Sequence, residues 1–123
     1  MRQLNIDTGV EEFCVNGRGV LRFNPADPNL YHRFFDAGRE LEALDKELDR
    51  RAAKLPDGPE GAEAGLALLA DYDGRIKALL GGVFGPENDF DAALGGVNLA
   101  GVAANGKRVV QNLLEALAPI LQQ

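Results

Sequence analysis

Six apolar residues, Leu30, Phe34, Ala37, Leu41, Leu44 and Leu48, follow one another at spacings of four, three, four, three and four. That rhythm constrains this chain more than any other feature, because it puts all six on one stripe of an α-helix with a near-heptad seam. The flanks set the ends. Asp27 before Pro28 suits an N-cap followed by a first helical position, and Leu55-Pro56-Asp57-Gly58-Pro59 is a turn. A helix is therefore predicted over 27–54, with Glu42/Lys46 and Glu47/Arg51 adding about 0.2–0.5 kcal/mol per i, i+4 pair on its wet face. The turn is short enough for an antiparallel return. A second helix follows over 59–84, with a stripe of Leu66, Leu69, Tyr72, Ile76, Leu79, Leu80 and Val83. Gly65 and Gly74 each weaken it by about 1 kcal/mol relative to alanine, so tertiary packing has to hold it.

Ahead of the long helix the periodicity changes to that of strands. Phe13-Cys14-Val15 and Val20-Leu21-Arg22-Phe23 flank Asn16-Gly17, the strongest short hairpin signal, so a hairpin is predicted within 1–24. Leu4-Asn5-Ile6-Asp7 reads as an optional third strand, turned by Thr8-Gly9. Cys14 is expected as a buried strand thiol, since free cysteine behaves as a small hydrophobe. Such a ribbon is marginal alone and needs a cover, which makes it either a lid on the helices or a docking edge. Beyond Gly81-Gly82-Val83-Phe84-Gly85-Pro86, residues 85–97 read as a loop or short helical turn carrying Phe90, Ala93 and Leu94, with Phe84 and Phe90 as core plugs. The C-terminal segment, 98–121, reads as helical: Asn98 caps a stretch over 99–104, Asn105-Gly106 interrupts it, and Val109, Val110, Leu113, Leu114, Leu117, Ile120 and Leu121 form a last stripe. The expectation is one α+β, mainly α domain over 1–123: a hairpin of two or three strands followed by three to four helices in a small bundle.

Charge narrows the partners. The net −6 arises in residues 55–91, where eight acids face only Arg75 and Lys77, whereas residues 33–54 carry six acids and six bases. The one basic cluster, Arg50-Arg51 with Lys54, is interleaved with Glu47 and Asp49, and a nucleic-acid footprint needs a basic stripe that this chain lacks. No run of about 18 apolar residues is present and the N-terminal residues have no secretory h-region, so neither a membrane span nor export is expected, and the reading is cytoplasmic.

Little in the sequence points to catalysis. One cysteine and one histidine, Cys14 and His32, leave no Cys/His zinc site and no nucleophile with a second candidate base. His32, in the first turn of the long helix, reads as neutral and partly exposed. Asp71-Tyr72-Asp73-Gly74 opens like a calcium loop, yet its twelfth position is Gly82 instead of a bidentate Glu. Asn88, Asp89 and Asp91 could hold a cation loosely, but acids in turns commonly cap helices. Asn16-Gly17-Arg18-Gly19 lacks the lysine and following helix of a phosphate loop. No cofactor, metal or catalytic set is expected, and the inventory is that of a binding module.

Four short motifs recur in order: Val15-Asn16-Gly17, Phe23-Asn24-Pro25-Ala26-Asp27, Val83-Phe84-Gly85 and Leu117-Ala118-Pro119. In this respect the chain resembles the small tail assembly chaperones of long-tailed phages and prophages from Gram-positive hosts, along nearly its whole length. It departs from them after Gly85, with Pro86-Glu87-Asn88-Asp89-Phe90-Asp91 and then Leu94-Gly95-Gly96. The resemblance implies a non-enzymatic protein, absent from the finished virion, that coats the tape measure protein until tube subunits displace it. Phe34, Leu41, Leu44 and Leu48, with Phe84 nearby, are the expected partner-binding residues, and a homo-oligomer is possible. The alternative is a small helical adaptor that dimerises through its long helix and has no part in phage assembly.

Overall fold

The computed structural model describes residues 1–121, and its elements run β1 (Glu11–Val15), β2 (Gly19–Phe23), α1 (Pro28–Ala53), α2 (Pro59–Phe84), α3 (Phe90–Ala93) and α4 (Val109–Leu121). With 57% of residues helical and 10% in strands, the fold is α+β and mainly α. The hairpin forms where the turn chemistry demands it. Asn16 and Gly17 both have positive φ, 52° and 74°, as a type I′ turn requires, and the Arg18 N–H donates to the Val15 carbonyl at 3.1 Å. The strands pair antiparallel with Phe13 opposite Leu21 and Val15 opposite Gly19. The inward face is aromatic: Phe13 stacks on Phe23 at 4.5 Å, and Phe23 meets the edge of Phe84 at 5.0 Å. Cys14 points the other way and is exposed, correcting the expected burial, because side chains alternate along a strand and Phe13 and Val15 occupy the packed face.

The optional third strand does not form. Leu4, Ile6 and Val10 are exposed, at 84, 69 and 55%. The Asn24 amide donates to the Thr8 carbonyl at 2.9 Å and the Gly9 N–H to the Asp7 carboxylate at 2.8 Å, at a Gly9 φ of 77°. These bonds tie the root of the arm to the β2 end of the hairpin and away from the free edge of β1.

Helix α1 begins as the Asp27-Pro28 pair dictates, with the Asp27 carboxylate accepting from the Asn29 N–H at 3.0 Å. It runs antiparallel to α2, and each helix, at 26 residues, is about 39 Å long. Leu30, Ala37, Leu41 and Leu48 are buried, whereas Phe34 and Leu44 are half-buried. On α2 the buried series is Leu68, Tyr72, Ile76, Leu80, Val83 and Phe84. The expected stripe was rotated at its start: Leu66 is 71% exposed and Leu68 takes the core position, four residues before Tyr72. Gly61 is the tightest point, since a Cβ there would lie 1.6 Å from the Pro56 carbonyl oxygen.

The segment 85–97 contains one helical turn, α3, capped by the Asp89 carboxylate on the Asp91 and Ala92 N–H groups at 3.0 Å each. Phe90 and Ala93 are buried, and Phe90 lies 5.4 Å from Phe84. The expected helix over 99–104 is a loop instead. Asn98 Oδ1 takes the Ala100 and Gly101 N–H groups at 2.9 and 3.0 Å, and Asp73 takes that of Leu99 at 2.7 Å. The Leu99 and Gly101 carbonyls then accept from Val110 and Val109 at 3.0 and 2.9 Å, so they are unavailable to an i+4 ladder. Leu99 and Ala100 are wholly buried in this loop. One hydrophobic cluster takes in residues from β2, all four helices and this loop.

Candidate functional site

Packing α4, the loop and the hairpin against the two long helices leaves one seam between α1 and α2 bare. Three hollows lie along it: one of about 340 Å³ among Arg51, Leu55, Ala64, Ala67, Leu68 and Asp71, and, beyond Arg75, two that adjoin. Of these two, one, of about 260 Å³, is lined by Arg33, Asp36, Ala37, Glu40, Ala78, Leu79, Gly82 and Val83. The other, of about 640 Å³, continues through Glu40, Ala43, Leu44, Arg75, Ala78 and Leu79. Glu40, Ala78 and Leu79 belong to both, so the two make one shallow groove, open to solvent. It spans Arg33 to Leu44 on α1, about three turns or 16 Å.

Three residues of this groove, Ala43, Ala78 and Gly82, are too small to close it over Leu44 and Leu79. Ala43 and Ala78 are exposed, Leu44 and Leu79 are half-buried, and a Cβ added at Gly82 would meet nothing within 4 Å. The polar rim is ordered. Arg33 Nε donates to the Val83 carbonyl at 3.0 Å, satisfying a last-turn carbonyl of α2. At the other end Arg75 reaches Asp71 at 3.0 Å and Glu47 at 3.7 Å, with its guanidinium 4.9 Å from the centre of the Tyr72 ring. Tyr72 is fully buried, donates its hydroxyl proton to Glu47 and accepts from Arg51 at 3.2 Å. The Tyr72 hydrogen bond is also what raises the Arg51 pKa most. This cluster ties Glu47 and Arg51 of α1 to Tyr72 and Arg75 of α2 at that end of the groove.

Of the five expected partner-binding residues, Leu41, Leu48 and Phe84 lie inside this chain's own core, at 6, 2 and 4% exposure. Leu44 lines the groove, and Phe34 is half-buried, its ring 6.3 Å from that of Phe84. The structure therefore does not bring the five together on one accessible face. The groove adds Ala43, Ala78, Leu79 and Gly82, and of these only Leu79 carried a sequence signal, since small residues leave no mark in an apolar pattern. A narrower cleft lies between α1 and α4, about 100° around α1, lined by Gly38, Leu41, Asp45, Arg108, Val110 and Leu114 among others. Arg108 closes one end of it by reaching Asp45, Asp49 at 2.6 Å and the Ala100 carbonyl at 2.7 Å. Beyond its other end Tyr31 and Phe35 form an exposed edge-to-face pair at 4.8 Å.

The polar residues considered for chemistry have structural partners. Asp71 pairs with Arg75, and Asp73 accepts from Leu99 and from Lys77 at 2.9 Å. Lys77 also reaches Asp91 at 2.5 Å. Burial acts to lower the Lys77 pKa, but the bonds to Asp91 and Asp73 outweigh it and hold it above the ordinary lysine value. His32 stands at the surface with Nε2 3.5 Å from Asp36. Asn88, read as one of a loose polar cluster, is buried at 5% exposure: its amide oxygen accepts from the Arg22 N–H at 2.7 Å, and its amide nitrogen donates to the Arg22 and Phe84 carbonyls at 2.8 Å each. Among the described residues no group of three or more His, Cys, Asp or Glu is placed to hold a metal, and no helix is long and apolar enough to cross a membrane. No protein-family model, curated protein or solved structure matches this chain.

Proposed function

We propose that this protein is a non-enzymatic tail assembly chaperone whose α1/α2 groove holds helical segments of the tape measure protein in the cytoplasm until tube subunits replace it. The observation that carries this reading is the groove itself: an apolar floor of Ala43, Leu44, Ala78, Leu79 and Gly82, three turns long, between rims bearing both charge signs. A third helix laid in the seam of two antiparallel helices completes a bundle, with its apolar ridge in the space that small residues leave open. A tape measure is a very long helical chain with an apolar seam, which is the shape such a groove accepts. The mixed rim, Arg33, Asp36, Glu40 and Arg75, favours no single charge on the guest, as suits binding at many successive sites. Each site can then be weak, with retention coming from multivalency and release from competition.

The test is co-expression with the neighbouring tape measure gene product. Wild-type protein should keep that product soluble and co-purify with it. Gly82→Leu and Ala78→Leu, which fill the groove from exposed positions outside the core, should lose both properties while melting close to wild type, since leucine is a better helix former than glycine by about 0.8 kcal/mol and only slightly poorer than alanine. Failure of the wild type to co-purify refutes the chaperone reading, and unaltered capture by both variants refutes the groove.

A further inference from the structure

Among the described residues, residues 2–6 of the arm ahead of β1 and the free edge of β1 each lack a partner, and they fit one another only between molecules. Arg22 turns its N–H and C=O towards Asn88, away from β1. Hydrogen-bonded and non-hydrogen-bonded pairs alternate in an antiparallel ladder, so Glu12, opposite Arg22, and Cys14, two residues on, also turn their backbone groups outward. These groups form an open edge of the kind that templates a further strand. Residues 2–6 alternate as a strand does, with Leu4 and Ile6 on one side, yet both are largely exposed.

Register decides how the two go together. To join the packed face, Leu4 and Ile6 must lie beside Phe13 and Val15, which are half-buried there. The antiparallel register that achieves this sets Leu4 against Val15 and Ile6 against Phe13, but opposes Asp7 to Glu12. Shifting it by two residues sets Ile6 against Glu11. In the parallel register every pair agrees: Arg2 with Glu11, Gln3 with Glu12, Leu4 with Phe13, Asn5 with Cys14 and Ile6 with Val15. Opposite charges and apolar pairs directly across a ladder are the favourable ones. A chain cannot make this pairing with itself, because parallel neighbours need a crossover of about a dozen residues and only four separate Ile6 from Glu11. We propose that residues 2–6 of one molecule add as a parallel edge strand to β1 of a second copy, giving an arm-exchanged assembly independent of the α1/α2 groove.

The register names its own probe, since Asn5 of one copy lies across from Cys14 of the next. Asn5→Cys protein, purified reduced and then oxidised, should yield a covalent dimer in which peptide mapping joins position 5 to Cys14. Adding Leu4→Asp, a change on an exposed arm that leaves the monomer's helical circular dichroism in place, should abolish that crosslink and shift the sedimenting species to monomer. Four results overturn the proposal: an intramolecular 5-to-14 bond, a dimer joined only through Cys14 to Cys14, thiols that stay free, or a 5-to-14 crosslink that persists with Leu4→Asp.

Discussion

Replacing Asn88 tests the joint on which the hairpin hangs. The side chain is 5% exposed and makes three hydrogen bonds, to the Arg22 N–H, the Arg22 carbonyl and the Phe84 carbonyl. Asn88→Ala orphans all three groups at once. A buried unsatisfied group costs about 1–3 kcal/mol, and the two on Arg22 are only part-buried, so water recovers some of the loss and roughly 2–4 kcal/mol remains. For a chain of this length that lowers the melting temperature by roughly 8–15 °C. Asn88→Asp is the sharper probe, because it keeps the acceptor for the Arg22 N–H but aims a carboxylate at two carbonyl oxygens. At neutral pH it should be worse than alanine. The carbonyls and burial raise the introduced carboxyl's pKa above the ordinary aspartate value of about 3.9, so the stability of this variant is fully present below that value and is lost as pH rises through the folded-state pKa. Protonated, the carboxyl can donate to one carbonyl, and the variant should then match or exceed Asn88→Ala. Melting curves by circular dichroism between acid and neutral pH read both effects. An alanine variant within about 0.5 kcal/mol of wild type, the range of inconsequential surface changes, would refute the reasoning. So would an aspartate penalty that does not change with pH.

Two further predictions concern other joints. Gly19→Ala should cost about 2–3 kcal/mol in overpacking, because its Cβ would stand 2.0 Å from the Ala93 carbonyl oxygen and 2.5 Å from the Ala93 Cα, whereas Gly38→Ala, in open space within α1, should stabilise by about 0.8 kcal/mol; urea titration of the two variants checks the contrast. Lys77 has a raised pKa, so its contribution is complete below the ordinary value of 10.5 and disappears as pH rises through the folded value. The melting-temperature gap between wild type and Lys77→Met should hold at neutral pH and close in strong alkali, and a gap that stays constant would show that the ammonium's bonds to Asp73 and Asp91 contribute nothing.

What was legible in the sequence was whatever local chemistry decides. Asn16-Gly17 has only one good use between two strand-like runs, and Asp27-Pro28 only one good use before a heptad-like stripe, so the turn and the start of α1 stand where they were expected. Error entered wherever a remote group takes over a local bond. The Leu99–Ala104 stretch has the composition of a helix, but Asp73, 26 residues earlier, takes the first N–H, and Val109 and Val110 take carbonyls that a helix would need. The arm has the alternation of a strand, but Asn24 draws Thr8 to the far side of the hairpin. Asn88 looked like one more polar loop residue because two of its three partner groups belong to Arg22 on β2, 66 residues away, and the third, the Phe84 carbonyl, is a backbone group that leaves no mark in the sequence.

The five residues expected at the partner surface are divided for a related reason. An apolar stripe such as Phe34 to Leu48 reports that a helix has a buried side without saying how many neighbours share it, and here the fold divides the stripe: Leu41 and Leu48 turn to the core while Leu44 opens into the α1/α2 groove. What makes the groove a groove is the opposite of hydrophobic signal, the missing bulk at Ala43, Ala78 and Gly82. Large residues at these positions would fill the seam at little cost to the core, since among the described residues nothing lies within 4 Å of a Cβ at Gly82 and both alanines are exposed. Filling the groove, with the stability of the fold preserved, therefore discriminates binding from packing.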